Sequence, residues 1–203
     1  MAADDCDVGQ LSPDSALEQG RWVKLICGAS NQDLPAIADL CAVFGAAGVD
    51  CVDVAADPAA VRAARQGLDW AEGQGWPRPW VMVSVSDGAD VHFRKAWFDP
   101  RSCPPNCPRP CQRVCPADAI AASGAVDAQR CYGCGRCLPA CPFGLIEERD
   151  QLVGTAAMAE LMAAIGPDVV EVHTAPGRGE AFEAVLKALA HSGISLRRLG
   201  VSC

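Results

Sequence analysis

Eight cysteines within residues 103–141 constrain this chain more than any other feature. Residues 131–142 read CYGCGRCLPACP, which spaces Cys131, Cys134, Cys137 and Cys141 as C-x2-C-x2-C-x3-C-P. This is the bacterial ferredoxin run. Three thiolates at that spacing let the chain wrap one side of a cuboidal [4Fe–4S] cluster. Gly133 and Gly135 permit the positive φ that turns backbone N–H groups toward sulfur. The fourth cysteine leaves in a new direction, helped by Pro142, and serves the other cluster. Residues 103–116, CPPNCPRPCQRVCP, space Cys103, Cys107, Cys111 and Cys115 by x3 throughout but keep the three-plus-one pattern and the closing proline. The halves echo each other past that proline as CPADAI and CPFGLI, with Cys115 and Cys141 26 residues apart. The crossover predicts one cluster on Cys103, Cys107, Cys111 and Cys141, and a second on Cys131, Cys134, Cys137 and Cys115.

Structural zinc sites also use four cysteines, but they pair C-x2-C knuckles rather than triplets each followed by a distal Cys-Pro. The N-terminus, MAADDCDVGQ, lacks the basic region of a secretory signal. The longest uncharged apolar stretch, residues 40–49, is about half the ~20 residues of a membrane span. A reducing, cytoplasmic location is therefore expected, where clustered cysteines bind metal more often than they form disulfides. Of the five other cysteines, Cys27, Cys41 and Cys51 lie in apolar runs and read as buried small hydrophobes. Cys6 reads as an exposed spectator thiol, and Cys203 ends the chain.

The net charge of −8 is unevenly spread. Residues 1–20 hold five acids and no base, whereas residues 101–149 hold six basic and four acidic groups. An acidic protein is a poor match for a nucleic-acid backbone. The local basic excess suits two clusters of about −2 each, thiolates included. Arg101, Arg109, Arg113, Arg130 and Arg136 lie among the ligands and could offset that charge, or could simply be solvated surface arginines. Four of the six residues between the first three ligands of the first run are proline: Pro104, Pro105, Pro108 and Pro110. Proline has no N–H to give a sulfur, so this cluster is expected to be harder to reduce.

Outside the cysteine region the chain repeats a βα unit. Strand-type runs at 22–27, 49–55, 80–85, 169–173 and 194–202, with a short fourth at 145–147, alternate with helical patterns at 31–47, 57–67, 155–165 and 180–191. Adjacent strand centres are 24 to 30 residues apart, except for 64 between Met82 and Ile146. This is an α/β chain of repeated βα units, a parallel sheet resembling part of a TIM barrel or an open doubly wound sheet. The expected organisation is an acidic flexible tail at 1–20, first βα units at 21–100, a two-cluster ferredoxin-like insert at 101–149 and further βα units at 150–203.

Asp53, Ser84, Ser86 and His173 fall near strand ends, which face the active site of a barrel. The simpler reading is that Asp53 is a helix cap or charge partner and His173 a core histidine. Gly177-Arg178-Gly179 before a helix could cradle an anion, although an ordinary turn has the same composition. No Gly-rich dinucleotide fingerprint follows a strand, and no Ser/His/Asp set stands out.

Six runs — KLICGAS, GVDCVDVAADPAAVRAAR, RPWVMVSVSDG, HFRKAWFDP, CPPNCPRPC and RCYGCGRCLPACP — resemble the light-dependent period (LdpA) family of cyanobacteria, over nearly everything from residue 21 onward. The family shares the x3 spacing. The resemblance implies an iron–sulfur protein that senses cellular redox state and passes it to the circadian clock, with the clock input kinase and the Kai clock proteins as partners. Family members continue past residue 203, and the chain is expected to be either a partial barrel or the front part of a longer protein. The leading expectation is a redox sensor or electron-transfer module rather than an enzyme. The competing ones are a ferredoxin-fused electron-transfer subunit, a flavin-dependent oxidoreductase on a βα barrel, and a metal-stapled structural protein.

Overall fold

A computed structural model describes residues 12–27, 33–89, 94–150 and 153–203. Five short strands, β1 (Lys24–Ile26), β2 (Cys51–Ala55), β3 (Trp80–Ser86), β6 (Val169–His173) and β7 (Arg198–Ser202), form one sheet in that order. Every pairing is parallel, with Leu25 opposite Val52, Val52 opposite Val81 and Val170 opposite Leu199. Neighbours in the sheet follow chain order, as in a barrel wall; a doubly wound sheet reverses its order midway. The result is a half-barrel.

The sheet's faces differ because side chains alternate along each strand. Val52, Val54, Val81, Val83, Val85, Val170 and Val172 share one core with residues of α2 (Leu34–Ala46), α3 (Pro58–Gly73), α6 (Thr155–Ile165) and α7 (Gly179–His191). That core includes Ile37, Leu68, Met158 and Leu189. The opposite face carries Cys51, Trp80, Met82 and Val169, with Trp22 packed against them. Helix starts follow their caps. Asp57 accepts from the N–H groups of Ala59 (2.8 Å) and Ala60 (3.4 Å), and Pro58 occupies the first turn of α3. Gly166, at φ 52°, stops α6.

Three expectations change. The sheet has five strands, not six. The strand after the cysteines is β5 (Glu147–Asp150), and it pairs antiparallel with β4 (Arg94–Trp97) in a separate two-stranded sheet. The sequence EERD is too charged for the buried interior of a parallel sheet. Instead it faces RKAW, with Arg94 near Glu148 (3.7 Å) and Asp150 (3.6 Å), and with Arg149 over the Trp97 ring. Second, α3 does not stop at Gly67 but runs on to Gly73. A Cβ at position 67 would collide with the Ala38 carbonyl of α2, so this glycine permits a close helix crossing. Third, the expected loose tail contains α1 (Pro13–Glu18). Ser12 caps it through Ser15 N–H (3.3 Å), Ala16 is buried, and Asp14 accepts from Arg198 of β7 (2.7 Å). Cys6 and Asn31 lie outside the described residues.

Candidate metal centre

The cysteines occupy the connection between β4 and β5. Asp99 caps a 3-10 turn at Pro100–Ser102 by accepting from Arg101 N–H (2.9 Å), which delivers the chain to Cys103. Cys111 then lies in the one-turn helix α4 (Pro110–Arg113), and Cys137 opens another, α5 (Cys137–Ala140). The sequence echo is also a conformational one. Two residues before each of these cysteines the backbone is left-handed, at Arg109 (φ 49°) and Gly135 (φ 71°). Three residues after each Cys-Pro cysteine it is left-handed again, at Asp118 (φ 48°) and Gly144 (φ 62°). The next N–H then turns back on the sulfur, Ala119 to Cys115 at 3.2 Å and Leu145 to Cys141 at 3.4 Å.

The thiols sort into two sets. Cys115, Cys131, Cys134 and Cys137 line one small hollow together with Ile120, Val126 and Gly135. Burial pushes the Cys137 thiol up to about 12, reinforced by Cys131, Cys134 and Cys115. In the other set, burial raises Cys111, with Cys141, Cys107 and Cys103 adding to the rise. Cys103 is raised by desolvation, by its hydrogen bond with Cys107 and by Cys141. Cys141 behaves differently. Burial acts to raise it, but N–H groups from Leu145, Phe143, Ile146 and Gly144 outweigh this and leave it lowered. Four thiols that oppose one another's ionisation become thiolates together when a cationic core stands among them. Cys115, Cys131, Cys134 and Cys137 surround a hollow rather than a point. Among the described residues, no three Cys, His, Asp or Glu side chains converge to hold a single metal ion. Phe98, Ile120 and Ile146 are buried around the cysteines and provide an apolar shell.

Of the five arginines in the segment, four bind elsewhere. Arg101 pairs with Asp99 (2.9 Å), and Arg136 with Asp33. Arg113 donates to Pro108 O (3.3 Å), and Arg130 to Asp118 O (3.0 Å). Arg109 alone has a buried nitrogen, Nη1, without a hydrogen-bond partner. Its charge counters the rise of the Cys103 thiol. Sequence reasoning missed Tyr132, whose buried hydroxyl also has no partner and is pushed up to about 12 by burial and then by Cys134. The available signal was that the only tyrosine of the chain stands between two ligand-spaced cysteines.

The remaining candidates do not join this site. Asp53, 5% exposed, accepts from Ser84 (2.8 Å) and pairs with Lys24 (3.3 Å) on the inner sheet face. Lys24 also pairs with Glu171, and His173 lies 3.5 Å from Glu171. Ser86 donates to Gly88 O (2.8 Å). Arg178 is drawn to Asp87 (3.3 Å), whose side chain has no exposure, so the Gly177–Gly179 loop is a turn clamped by its own arginine. Cys27 and Cys41 touch at 3.7 Å in the helix-side core. The Cys27 contact and burial together push the Cys41 thiol well up, as expected of an inert buried thiol. Cys51 is buried and Cys203 exposed.

Residues 103–152 match the LdpA Fe-S cluster-binding domain. Over 192 residues the chain is 50% identical to Light dependent period A of Synechococcus elongatus, covering 94% of this chain and 54% of that protein. The chain thus spans about half the length of that relative. A solved structure of an uncharacterized conserved protein from Geobacillus kaustophilus covers 93% of this chain and 71% of its own, at 13% identity and a TM-score of 0.36. Among the described residues, no helix is long and apolar enough to cross a membrane.

Proposed function

From a chain that is a homologue of Light dependent period A and carries an LdpA-type iron–sulfur-binding domain, we propose a protein with two [4Fe–4S] clusters that acts as a redox sensor or electron-transfer module. Cys103, Cys107, Cys111 and Cys141 hold one cluster; Cys131, Cys134, Cys137 and Cys115 hold the other. The observation that carries this reading is the sorting of eight thiols into two sets, each with three members from one run and one from the other. The donor set fits: thiolates suit iron–sulfur clusters, and the apolar shell and backbone N–H groups suit an anionic, sulfur-rich group. When bound, each cluster exchanges one electron. The protein's own groups hold the thiolates in place, exclude water through Phe98, Ile120 and Ile146, and direct N–H dipoles at Cys115 and Cys141.

The family resemblance read in the sequence extends the proposal: the redox state of the clusters is passed to protein partners of the circadian clock, its input kinase and the Kai proteins, in the cytoplasm. Anaerobic iron and sulfide analysis of the purified protein tests the cofactor, with about eight of each expected per chain. Cys141→Ser should lower both to about half and remove one of two EPR signals. A zinc-loaded protein, or loss of both signals at once, would contradict the assignment. Partner affinity measured on oxidised and dithionite-reduced protein tests the sensor role, and equal affinities would reject it. Resolved flavin absorption bands would favour the oxidoreductase reading instead.

A further inference from the structure

An open cavity of about 620 Å³ separates the cysteine segment from the half-barrel, a size typical of small-molecule sites. It lies at the C-terminal ends of β2 and β3, where Ala55, Ser84 and Ser86 contribute to its lining. Parallel βα scaffolds bind ligands at this end, because the loops that follow the strands converge there. From its N-cap Gly154 onward, α6 lines it with Ala157, Leu161 and Ala164 at helical spacing, giving a long apolar wall. The other boundary is polar and rich in donors. Arg94 and Lys95 of β4 line it, as does Tyr132.

These donors are incompletely engaged. Arg94 approaches Glu148 and Asp150 only at 3.7 and 3.6 Å, longer than hydrogen bonds. Lys95 donates one hydrogen bond, to Ala128 O at 2.7 Å, and among the described residues its only carboxylate neighbour, Asp57, stands at 3.8 Å, which leaves its other N–H groups for a ligand. The Arg94 Nε and Tyr132 hydroxyl are buried with no hydrogen-bond partner. A buried donor without a partner is rare in a folded protein and calls for a ligand or water that meets it. Among the lining carboxylates, Asp57 already caps α3, leaving Glu160 exposed on α6.

We infer that this cavity binds a small amphiphilic organic anion. Its apolar or aromatic body lies along α6, its carboxylate-, sulfonate- or phosphate-type group is met by Arg94 and Lys95, and Tyr132 donates a hydrogen bond to it. Tyr132 also lines the hollow formed by Cys115, Cys131, Cys134 and Cys137. Occupancy is therefore one side chain away from those thiols. Only this coupling rests on the cluster reading above; the binding site rests on the cavity.

The test uses 8-anilinonaphthalene-1-sulfonate and its neutral counterpart N-phenyl-1-naphthylamine, titrated by fluorescence into the full chain purified anaerobically. One saturable site is expected, with the sulfonate probe bound about tenfold more tightly than the neutral one. Ala157→Phe fills the cavity from an exposed helix position and should weaken sulfonate binding by at least about tenfold. Ala156→Phe, exposed on α6 but outside the lining, should leave it unchanged. Tyr132→Phe should weaken it about fivefold, the loss of one hydrogen bond. Binding that survives Ala157→Phe, a neutral probe that binds as tightly as the anion, or the absence of saturable binding would each overturn the proposal. Iron and sulfide measured on the same samples keep a failed binding site distinct from a failed cluster assignment.

Discussion

Arg109 combines two unfavourable features, a left-handed backbone and a buried nitrogen without a partner. Each costs on the order of 1 kcal/mol or more when nothing compensates. The equivalent position in the second half is Gly135, which reaches its left-handed φ of 71° without that backbone penalty. An anionic group among Cys103, Cys107, Cys111 and Cys141 would compensate for both features of Arg109. Arg109→Gln should therefore move one of two midpoint potentials to a more negative value in an EPR-monitored redox titration and leave the other in place. Arg101→Gln, with its side chain 91% exposed, should move neither. The same titration reads the proline effect, since the cluster on the first run is expected to be reduced last. The inner-face charges make a separate prediction. Burial raises the Asp53 carboxyl more than Ser84 and Lys24 lower it. Burial pulls the Lys24 ammonium down, but Glu171 and Asp53 outweigh it and hold it above its ordinary 10.5. The Lys24 contribution to stability is thus fully present below 10.5 and lost as pH rises through the raised value. Lys24→Met strands two largely buried carboxylates and should cost on the order of 3 kcal/mol at pH 7. The defect should shrink toward pH 4, where the raised Asp53 carboxyl takes up a proton. Urea unfolding at the two pH values measures it, and an equal defect at both would argue against the ion pair.

At the level of elements, glycine and charge decide what hydrophobic pattern leaves open. Gly67 reads as a helix stop in the sequence, yet it is where α2 and α3 cross backbone to backbone. Gly67→Ala should destabilise the protein by about 3 kcal/mol, because the colliding atoms are backbone and cannot swing aside. Gly73→Ala, at the end of the same helix with open space around it, should stabilise by roughly 0.5 kcal/mol. Thermal unfolding should give opposite signs for the two variants, and equal signs would argue against the close crossing at Gly67. The β4–β5 pairing was not legible in the sequence, because its register rests on charge pairing between segments 50 to 56 residues apart. By contrast α6 and β6 match their sequence expectation residue for residue, 155–165 and 169–173. The Gly-Pro stop and the unbroken valine run are local signals.

Among the described residues, the half-barrel and the cysteine segment have separate cores of unequal strength. The half-barrel core joins long aliphatic side chains from four helices and the sheet. The core of the cysteine segment consists of Phe98, Ile120 and Ile146 with Cys111 and Cys137. So few apolar groups do not offset the ordering entropy of such a segment, so its folding should depend on its metal. Removal of iron by a chelator under reducing conditions should abolish hydrogen-exchange protection in α4, α5 and the loops around them, while β2 and β3 keep theirs. Loss of protection in both regions together would show one cooperative unit. The sequence by itself determined the eight thiols, their two Cys-Pro echoes and the βα alternation, because ligand spacing and strand and helix periodicity are short-range properties. Only the tertiary structure decided that the sheet runs in chain order as a half-barrel, that Arg109 and Tyr132 are left with unpartnered buried atoms, and that a cavity opens beside the cysteines. Each of these depends on which distant segments meet, and that is settled by packing and charge complementarity across the whole chain.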